Sequence, residues 1–151
     1  MRSRSANWFE IAIRYEKTME DGMPKKVAEY YVVDALSFGE AEETITKEMS
    51  AYISGEFEVK NITPAVFHEI FFSDNDNDDR WYKAKLAFIT IDEKTEKEKR
   101  TAVTYLVQAS TLNSAVKNID EAMGGTMIDY VISNISETKF MDVFEHQVKT
   151  E

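Results

Sequence analysis

Cysteine is absent from this sequence, and glycine and proline are scarce. With no cysteine among 151 residues, disulfide bonds, thiolate nucleophiles and zinc–thiolate sites are all excluded. The five glycines form neither G-x-x-x-x-G-K nor G-x-G-x-x-G, the loops that bind nucleotide phosphates. No apolar run approaches the ~20 residues of a membrane-spanning helix, and Met1 to Ala6 precede no apolar core typical of a secretory signal. We therefore expect a cytoplasmic protein that holds no cofactor and contacts no membrane.

Basic residues are in the minority. Lys and Arg number 18 against 28 Asp and Glu, which gives a net charge of −10. No segment is basic, so we expect no direct contact with a nucleic-acid backbone. The hydrophobic fraction of 43% and the aromatic fraction of 12% are those of a folded, globular chain. Composition thus predicts a soluble acidic protein and leaves its activity open.

Two stretches of the chain, residues 8–71 and 81–144, resemble each other. Identical residues recur at separations of 73 or 74 positions, and they fall where strands and helices need apolar contacts. The matching pairs are Trp8/Trp81, Ala28/Ala102, Tyr31/Tyr105, Val33/Val107, Ala35/Ala109, Ala41/Ala115, Ile45/Ile119, Met49/Met123, Asn61/Asn134, Ile62/Ile135, Phe67/Phe140 and Phe71/Phe144. We interpret the two stretches as a tandem duplication.

The hydrophobic pattern at the start of each stretch has a period of two residues. In the first stretch it predicts a strand over about 8–15, a polar hairpin loop over 16–26 and a second strand over about 27–35. A later extended segment, about 57–72, is long for one strand and contains Pro64. We expect this segment to be either a pair of strands or one strand with a bulge.

Between these strands the period changes to 3.6 residues, which indicates a helix. Ser37 with Glu40 is a capping-box signature, and Thr111 holds the matching position in the second stretch. Ser54-Gly55 and Gly124-Gly125 are expected to end the two helices. The expected apolar stripes are Phe38, Ala41, Ile45, Met49 and Tyr52 in the first helix, and Leu112, Ala115, Ile119 and Met123 in the second.

Together these elements predict an α+β fold in which a ββαβ(β) unit with one helix occurs twice. One such unit buries little apolar surface alone, so we expect both to form one domain with antiparallel sheets and pseudo-two-fold symmetry. The expected organisation is a single domain over 1–151, either monomeric or homodimeric. Its segments are repeat 1 (8–71), an acidic linker (72–80), repeat 2 (81–144) and a tail (145–151).

Three short segments are similar to a known family. They are the start Asn7-Trp8-Phe9, the strand-to-helix passage from Tyr31 to Glu42, and its echo Ala109-Ser110-Thr111. In them the chain resembles a family of uncharacterised proteins of roughly this length, with a domain of unknown function, from Bacteroidetes and their phages. The resemblance implies a place in gut-bacterial or phage biology, and it implies no particular activity.

Trp8 and Trp81 occupy matching positions, opposite the main apolar stripe of the first strand of each repeat. One interpretation is a pair of aromatic platforms that stack a base or clamp a partner. The other is packing that was duplicated with the rest of the core. Arg14 shares the strand face of Trp8, and Lys83 and Lys85 share the face of Trp81. These five residues are our candidate site for a protein partner or a small molecule.

The most acidic segment, residues 73–80, carries aspartates at alternate positions. The spacing Asp74-x-Asp76-x-Asp78 resembles the first ligands of an EF-hand calcium loop. The sixth position, where that loop needs glycine, is Asp79. We therefore interpret the segment as a solvated linker and expect no metal site.

The sequence contains no recognisable catalytic motif. Neither G-x-S-x-G nor H-E-x-x-H occurs, and His68 and His146 do not hold matching repeat positions. The leading hypothesis is a non-catalytic binding or interaction protein. One alternative is a phage counter-defence or regulatory protein that sequesters a nucleotide or mimics the charge of DNA. The other is a small hydrolase that uses Asp or Glu with His68, which requires a buried carboxylate beside that histidine.

Overall fold

Nine strands and two helices form over residues 1–146, the part of the chain that the computed structural model describes. The strands are β1 (Arg2–Arg4), β2 (Trp8–Thr18), β3 (Pro24–Asp34), β4 (Phe57–Pro64), β5 (Glu69–Phe72), β6 (Arg80–Ile91), β7 (Glu98–Ala109), β8 (Asp129–Glu137) and β9 (Phe140–Phe144). The helices are α1 (Phe38–Ser50) and α2 (Leu112–Met123).

The chain divides into two compact units, each with its own sheet and helix. Of the described residues, the four-stranded unit contains Ala6–Ala65 and 139–146, and its sheet has the order β4-β2-β3-β9. The five-stranded unit contains Met1–Ser5 and Val66–Thr138, and its sheet has the order β1-β5-β7-β6-β8. The prediction of an α+β protein is confirmed.

In the four-stranded unit, β2 and β3 form a hairpin that pairs without interruption from Trp8↔Asp34 to Thr18↔Pro24. The turn contains Gly22, whose φ of +80° lies in the left-handed region that glycine adopts at low cost. Both strands are longer than the alternating pattern indicated, because their polar ends stay paired beyond the apolar residues.

Ser37 caps the N-terminus of helix α1, since its side chain accepts a hydrogen bond from the backbone N–H of Glu40. Within residues 1–146 the Glu40 side chain does not bond in return to the N–H of Ser37, so only half of the predicted capping box forms. Its buried residues are Ala41, Ile45 and Met49, which belong to the same core cluster as Ile11, Ile13, Tyr31 and Val33. The predicted stripe is wrong at its two ends. Phe38 is half-exposed at the first turn, and Tyr52 is exposed because the helix ends at Ser50, four residues before Ser54-Gly55.

Helix α2 packs on the five-stranded sheet through Ala115, Ile119 and Met123. Thr111 accepts from the backbone N–H of Ser114, and the Ser114 hydroxyl accepts in return from the N–H of Thr111, which completes a capping box. Helix α2 ends at the expected glycine pair, since Gly124 is its C-terminal cap. Leu112, predicted for the apolar stripe, is instead about half-exposed.

The sheets are mixed, so the prediction of antiparallel sheets is wrong for two strand pairs. Strand β5 runs parallel to β7, and β9 runs parallel to β3. Both short strands follow the helix of one predicted repeat and pair in the sheet of the other unit, and stacked rings accompany both pairings. Tyr31 stacks on Phe144 at 5.6 Å between ring centroids, and Phe71 on Tyr105 at 4.8 Å.

The extended segment after each helix contains both features that the sequence left open. Each segment is two strands, and the first of the two carries a bulge where it pairs with its neighbour. Lys60 is the extra residue in β4, and Ser133 is the extra residue in β8. In the predicted repeats, β4, β2, β3 and β9 correspond to β8, β6, β7 and β5. The strand order β4-β2-β3-β9 therefore corresponds to β8-β6-β7-β5, which is the order of four strands in the other sheet.

Candidate functional site

A groove of about 880 Å³ lies in the four-stranded unit. The far end of the β2–β3 hairpin, helix α1 and the start of β4 form its walls. Its lining residues are Arg14, Tyr15, Glu16, Lys26, Glu42, Thr46, Gly55, Glu56, Phe57, Glu58, Val59 and Lys60. The volume falls within the ~300–1,000 Å³ of pockets that hold small molecules.

The groove carries cations that the described part of the chain leaves unpaired. Among residues 1–146, the side chains of Arg14 and Lys26 have no hydrogen-bond or ion-pair partner, and Arg14 is exposed. Lys60 is paired, since its Nζ lies 3.3 Å from Oε2 of Glu58. A guanidinium in this setting can bind a planar anion through two parallel hydrogen bonds.

Glu29 fixes the aromatic wall of the groove. Its two carboxylate oxygens each accept a hydrogen bond from a tyrosine, one from the hydroxyl of Tyr15 and the other from that of Tyr31 at 2.6 Å. The hydrogen bond to Glu29 raises the pKa of Tyr15 to about 12, and burial followed by the same carboxylate raises the pKa of Tyr31. Tyr15 is therefore a neutral ring that is held in the wall of the groove.

The tyrosine–carboxylate contacts predict that stability falls at alkaline pH. A raised tyrosine pKa means that the folded state binds the proton more tightly than the unfolded state does. The contribution of these contacts to the free energy of unfolding is therefore complete below the unfolded pKa of about 10. It is lost as pH rises from about 10 to about 12, where Tyr15 ionises. In the variant Glu29→Gln, ultraviolet titration should show two tyrosines, Tyr15 and Tyr31, ionising at lower pH than in the wild type. An unchanged titration curve would contradict the role of Glu29.

The structure divides the five candidate residues between the two units. Trp8 and Arg14 lie on β2 of the four-stranded unit, whereas Trp81, Lys83 and Lys85 lie on β6 of the five-stranded unit. Both tryptophans are buried, at 2% and 3% exposure. The ring of Trp81 meets Phe72 edge to face at 5.7 Å. These positions favour the packing interpretation of the tryptophans, while Arg14 lies in the groove and both lysines are exposed.

His68 is exposed, with its ring edge-to-face against Tyr105 at 5.7 Å between centroids. The hydrolase hypothesis required a buried carboxylate in a pocket around this histidine, and the exposure of His68 argues against it. His146 lies in the other unit, where its Nδ1 is 3.1 Å from Oε1 of Glu40. Nothing in these contacts links the two histidines.

The acidic segment is anchored at Asp78, which is only 7% exposed. The hydroxyl of Ser73 and the side-chain amide of Asn118 donate to its carboxylate, the latter at 3.4 Å. Gln108 accepts from the N–H of Ser73 and donates to the backbone carbonyl of Asp78, both at 2.9 Å. We expected a solvated segment, and no local pattern in the sequence distinguishes Asp78 from the exposed aspartates beside it.

The fold is that of an α+β protein with two mixed sheets, and a charged groove lies between the β2–β3 hairpin, helix α1 and the start of β4. Residues 7–146 match the family described as Domain of unknown function (DUF4494), and the chain belongs to this family. No curated protein and no solved structure matches the chain. Neither helix within residues 1–146 has the length and hydropathy required to cross a membrane.

Proposed function

We propose that this protein is a non-catalytic binding protein whose ligand occupies the groove around Arg14. The observation that carries the proposal is the combination of two unpaired cations, Arg14 and Lys26, with the fixed ring of Tyr15 in one cavity. Pockets of this kind hold a small molecule through a few polar groups at fixed positions and through an apolar or aromatic wall.

The lining residues indicate the chemistry of the ligand. An anionic group would pair with Arg14, and a flat or apolar part would pack against Tyr15 and Phe57. The lining also contains four glutamates, Glu16, Glu42, Glu56 and Glu58, which would repel any negative charge that is not placed at a cation of the groove. We therefore expect a compact ligand with one or two negative charges, such as a nucleoside monophosphate or a small carboxylic acid.

The polar groups of the groove belong to the four-stranded unit and differ from their repeat counterparts. The positions that match Arg14, Tyr15 and Glu29 in the second repeat are Ala87, Phe88 and Val103. Packing alone would not require charged and hydroxyl groups in one repeat at positions where the other repeat has apolar side chains. The difference supports a binding role for this unit in particular.

A ligand panel tests the proposed groove. Melting temperature would be measured with nucleotides, cyclic dinucleotides and small carboxylic acids, since a ligand at ~100 times its dissociation constant adds ~2.7 kcal/mol. The variant Arg14→Ala should lose most of the shift, because the anion loses a charged hydrogen-bond donor. Lys83→Ala removes an exposed cation from the other unit and serves as the matched control.

The results of this panel distinguish three interpretations of the binding site. A shift that Arg14→Ala removes and Lys83→Ala retains supports the groove. The reverse pattern would move the site to β6 of the five-stranded unit, where Lys83 and Lys85 are both exposed. If no ligand in the panel changes the melting temperature, a small-molecule function is contradicted.

The second candidate function is counter-defence or regulation by nucleotide sequestration or by mimicry of DNA charge. The net charge of −10 favours it, and a cytoplasmic phage or bacterial setting would suit it. Charge mimicry predicts competition with DNA for a basic protein that weakens as salt rises. Competition that is insensitive to salt would contradict this function.

The duplication is also part of the proposal. The identical pairs along the sequence and the matching order of counterpart strands in the two sheets support it. Superposition of residues 8–64 on residues 81–137 tests it, because unrelated units would not place β2, β3, α1 and β4 on their counterparts.

A further inference from the structure

We propose that the hydrogen bond between Tyr130 and Asp120 is a latch that closes, in the five-stranded unit, the cleft that stands open in the four-stranded unit. The positions that match this pair in the first repeat, Phe57 and Thr46, both line the open groove. The proposal rests on the groove of the proposed function as a cavity, and it makes no use of the ligand. Its test therefore measures the opening of each cleft without a ligand.

The strand registers place Tyr130 and Phe57 at equivalent points of the two sheets. Tyr130 of β8 pairs with Phe88 of β6, and Phe57 of β4 pairs with Tyr15 of β2. Each of the two rings is partly buried against the core cluster of its own unit. The side chains of Tyr130 and Phe57 differ by one hydroxyl group. The two rings therefore differ in what they can bond to, because their strands hold them in the same way.

The helices supply the other wall of each cleft. Asp120 directly follows the buried Ile119 in α2, and Thr46 directly follows the buried Ile45 in α1. Each isoleucine is the middle member of the three buried residues of its helix, so Asp120 and Thr46 lie at the same point along the two helices. Asp120 brings a carboxylate acceptor to this point. The strand residue that corresponds across from Thr46 is Phe57, whose ring cannot donate a hydrogen bond.

In the five-stranded unit the hydrogen bond crosses from strand to helix. The hydroxyl of Tyr130 donates to Oδ1 of Asp120 at 2.6 Å, as expected for a charged acceptor. Burial, followed by this hydrogen bond, raises the pKa of Tyr130 to about 12, so the hydroxyl remains a donor at neutral pH. In the four-stranded unit, Tyr15 instead bonds to Glu29 on the neighbouring strand β3. That bond joins two strands, and it leaves the cleft between α1 and β4 open.

Because the chain has no cysteine, a single introduced thiol can measure the opening of one cleft. Val59 lines the groove, Ile132 holds the matching position in β8, and both are half-buried. The variants Val59→Cys and Ile132→Cys each place one thiol in one cleft. The rate of its reaction with uncharged 4,4′-dithiodipyridine depends on how far the reagent can enter. Rates are compared only between variants that carry the same thiol, so the intrinsic reactivity of each site cancels.

Breaking the latch should speed the reaction in the Ile132→Cys chain. Tyr130→Phe removes only the hydroxyl, and it should raise the rate roughly three- to tenfold, the effect of losing one hydrogen bond. Asp120→Thr should act similarly, and the two changes together should add little more, because both remove the same bond. Glu137→Gln is the matched control. It weakens the 3.7 Å contact between β8 and Arg80, away from the latch, and should leave the rate unchanged.

Installing the latch should close the open groove. In the Val59→Cys chain, Thr46→Asp with Phe57→Tyr should slow the reaction by a similar factor, whereas Thr46→Asp alone has no hydroxyl to bond and should not. Circular dichroism would confirm that each variant is folded, and the arms in the two units can each decide alone. The proposal is overturned if Tyr130→Phe changes the rate no more than the control does, or if the double variant leaves the groove thiol as reactive as before.

The thiol rates and the ligand panel can fail separately. If the rates change as expected but no ligand shifts the melting temperature, the latch is supported and the small-molecule function is contradicted. If a ligand binds in the groove but the rates do not respond to Tyr130 and Asp120, the latch is overturned and the function stands.

Discussion

A chain that ends at Thr138 should lose the folded structure of its four-stranded unit. The truncation removes β9, which supplies the outer strand beside β3 with the pairs Tyr30↔Phe140 to Val33↔Phe144. It also removes the buried Val143 and the ring that stacks on Tyr31. Deletion of one large buried side chain typically costs ~3–5 kcal/mol, and whole domains have only ~5–15 kcal/mol of stability. Loss of an entire strand should therefore unfold this unit.

Amide hydrogen exchange would measure the effect strand by strand. In the truncated chain, β2 and β3 should exchange rapidly, while β6 and β7 of the five-stranded unit should keep most of their protection. A chain that ends at His146 is the control, since it retains all of β9. Val143→Asp should imitate the truncation, and Met141→Asp, at a position that is 57% exposed, should not. Protection of β3 that survives the loss of β9 would contradict the expected result.

The sequence could not predict that β5 and β9, the last strands of the two repeats, each pair in the sheet of the other unit. The hairpins and helices follow from local signals: alternation along β2, the hydroxyl cap at Ser37, and the stripe of Ala41, Ile45 and Met49. Strand β9 has only five residues, and its pattern does not specify which edge it joins or in which direction. Pairing between distant segments depends on the whole core, so an antiparallel neighbour within the same repeat seemed the simpler expectation.

The candidate site was partly predictable for a related reason. Arg14 could be identified because alternation placed it on the polar face of a strand, and it does line the groove. Glu29 was missed, because its importance comes from Tyr15, which reaches it from the neighbouring strand. Trp8 and Trp81 lie on the same faces as the polar residues, but both are buried. Alternation identifies the face of a strand and does not show which positions along that face are covered.

The variant Asp78→Ala should destabilise the five-stranded unit by about 2 kcal/mol, because it removes a buried charged acceptor from two half-buried donors. The hydroxyl of Ser73 and the amide of Asn118 both donate to this carboxylate. The substitution also removes one charge from a crowded acidic segment, which by itself would stabilise the fold slightly. Asp76→Ala removes a charge from the same segment at an exposed position, and should change stability by less than about 0.5 kcal/mol.

Comparison of these two variants by urea unfolding therefore isolates the hydrogen bonds of Asp78 from the relief of repulsion. Asp78→Asn should fall between them, since an amide oxygen still accepts a hydrogen bond but carries no charge. If Asp78→Ala and Asp76→Ala have the same unfolding midpoint, the segment is not held at Asp78, and the solvated-linker interpretation of residues 72–80 would be restored. If only Asp78→Ala is destabilised, the acidic segment is a structural part of the five-stranded unit, fixed by one aspartate among several that are exposed.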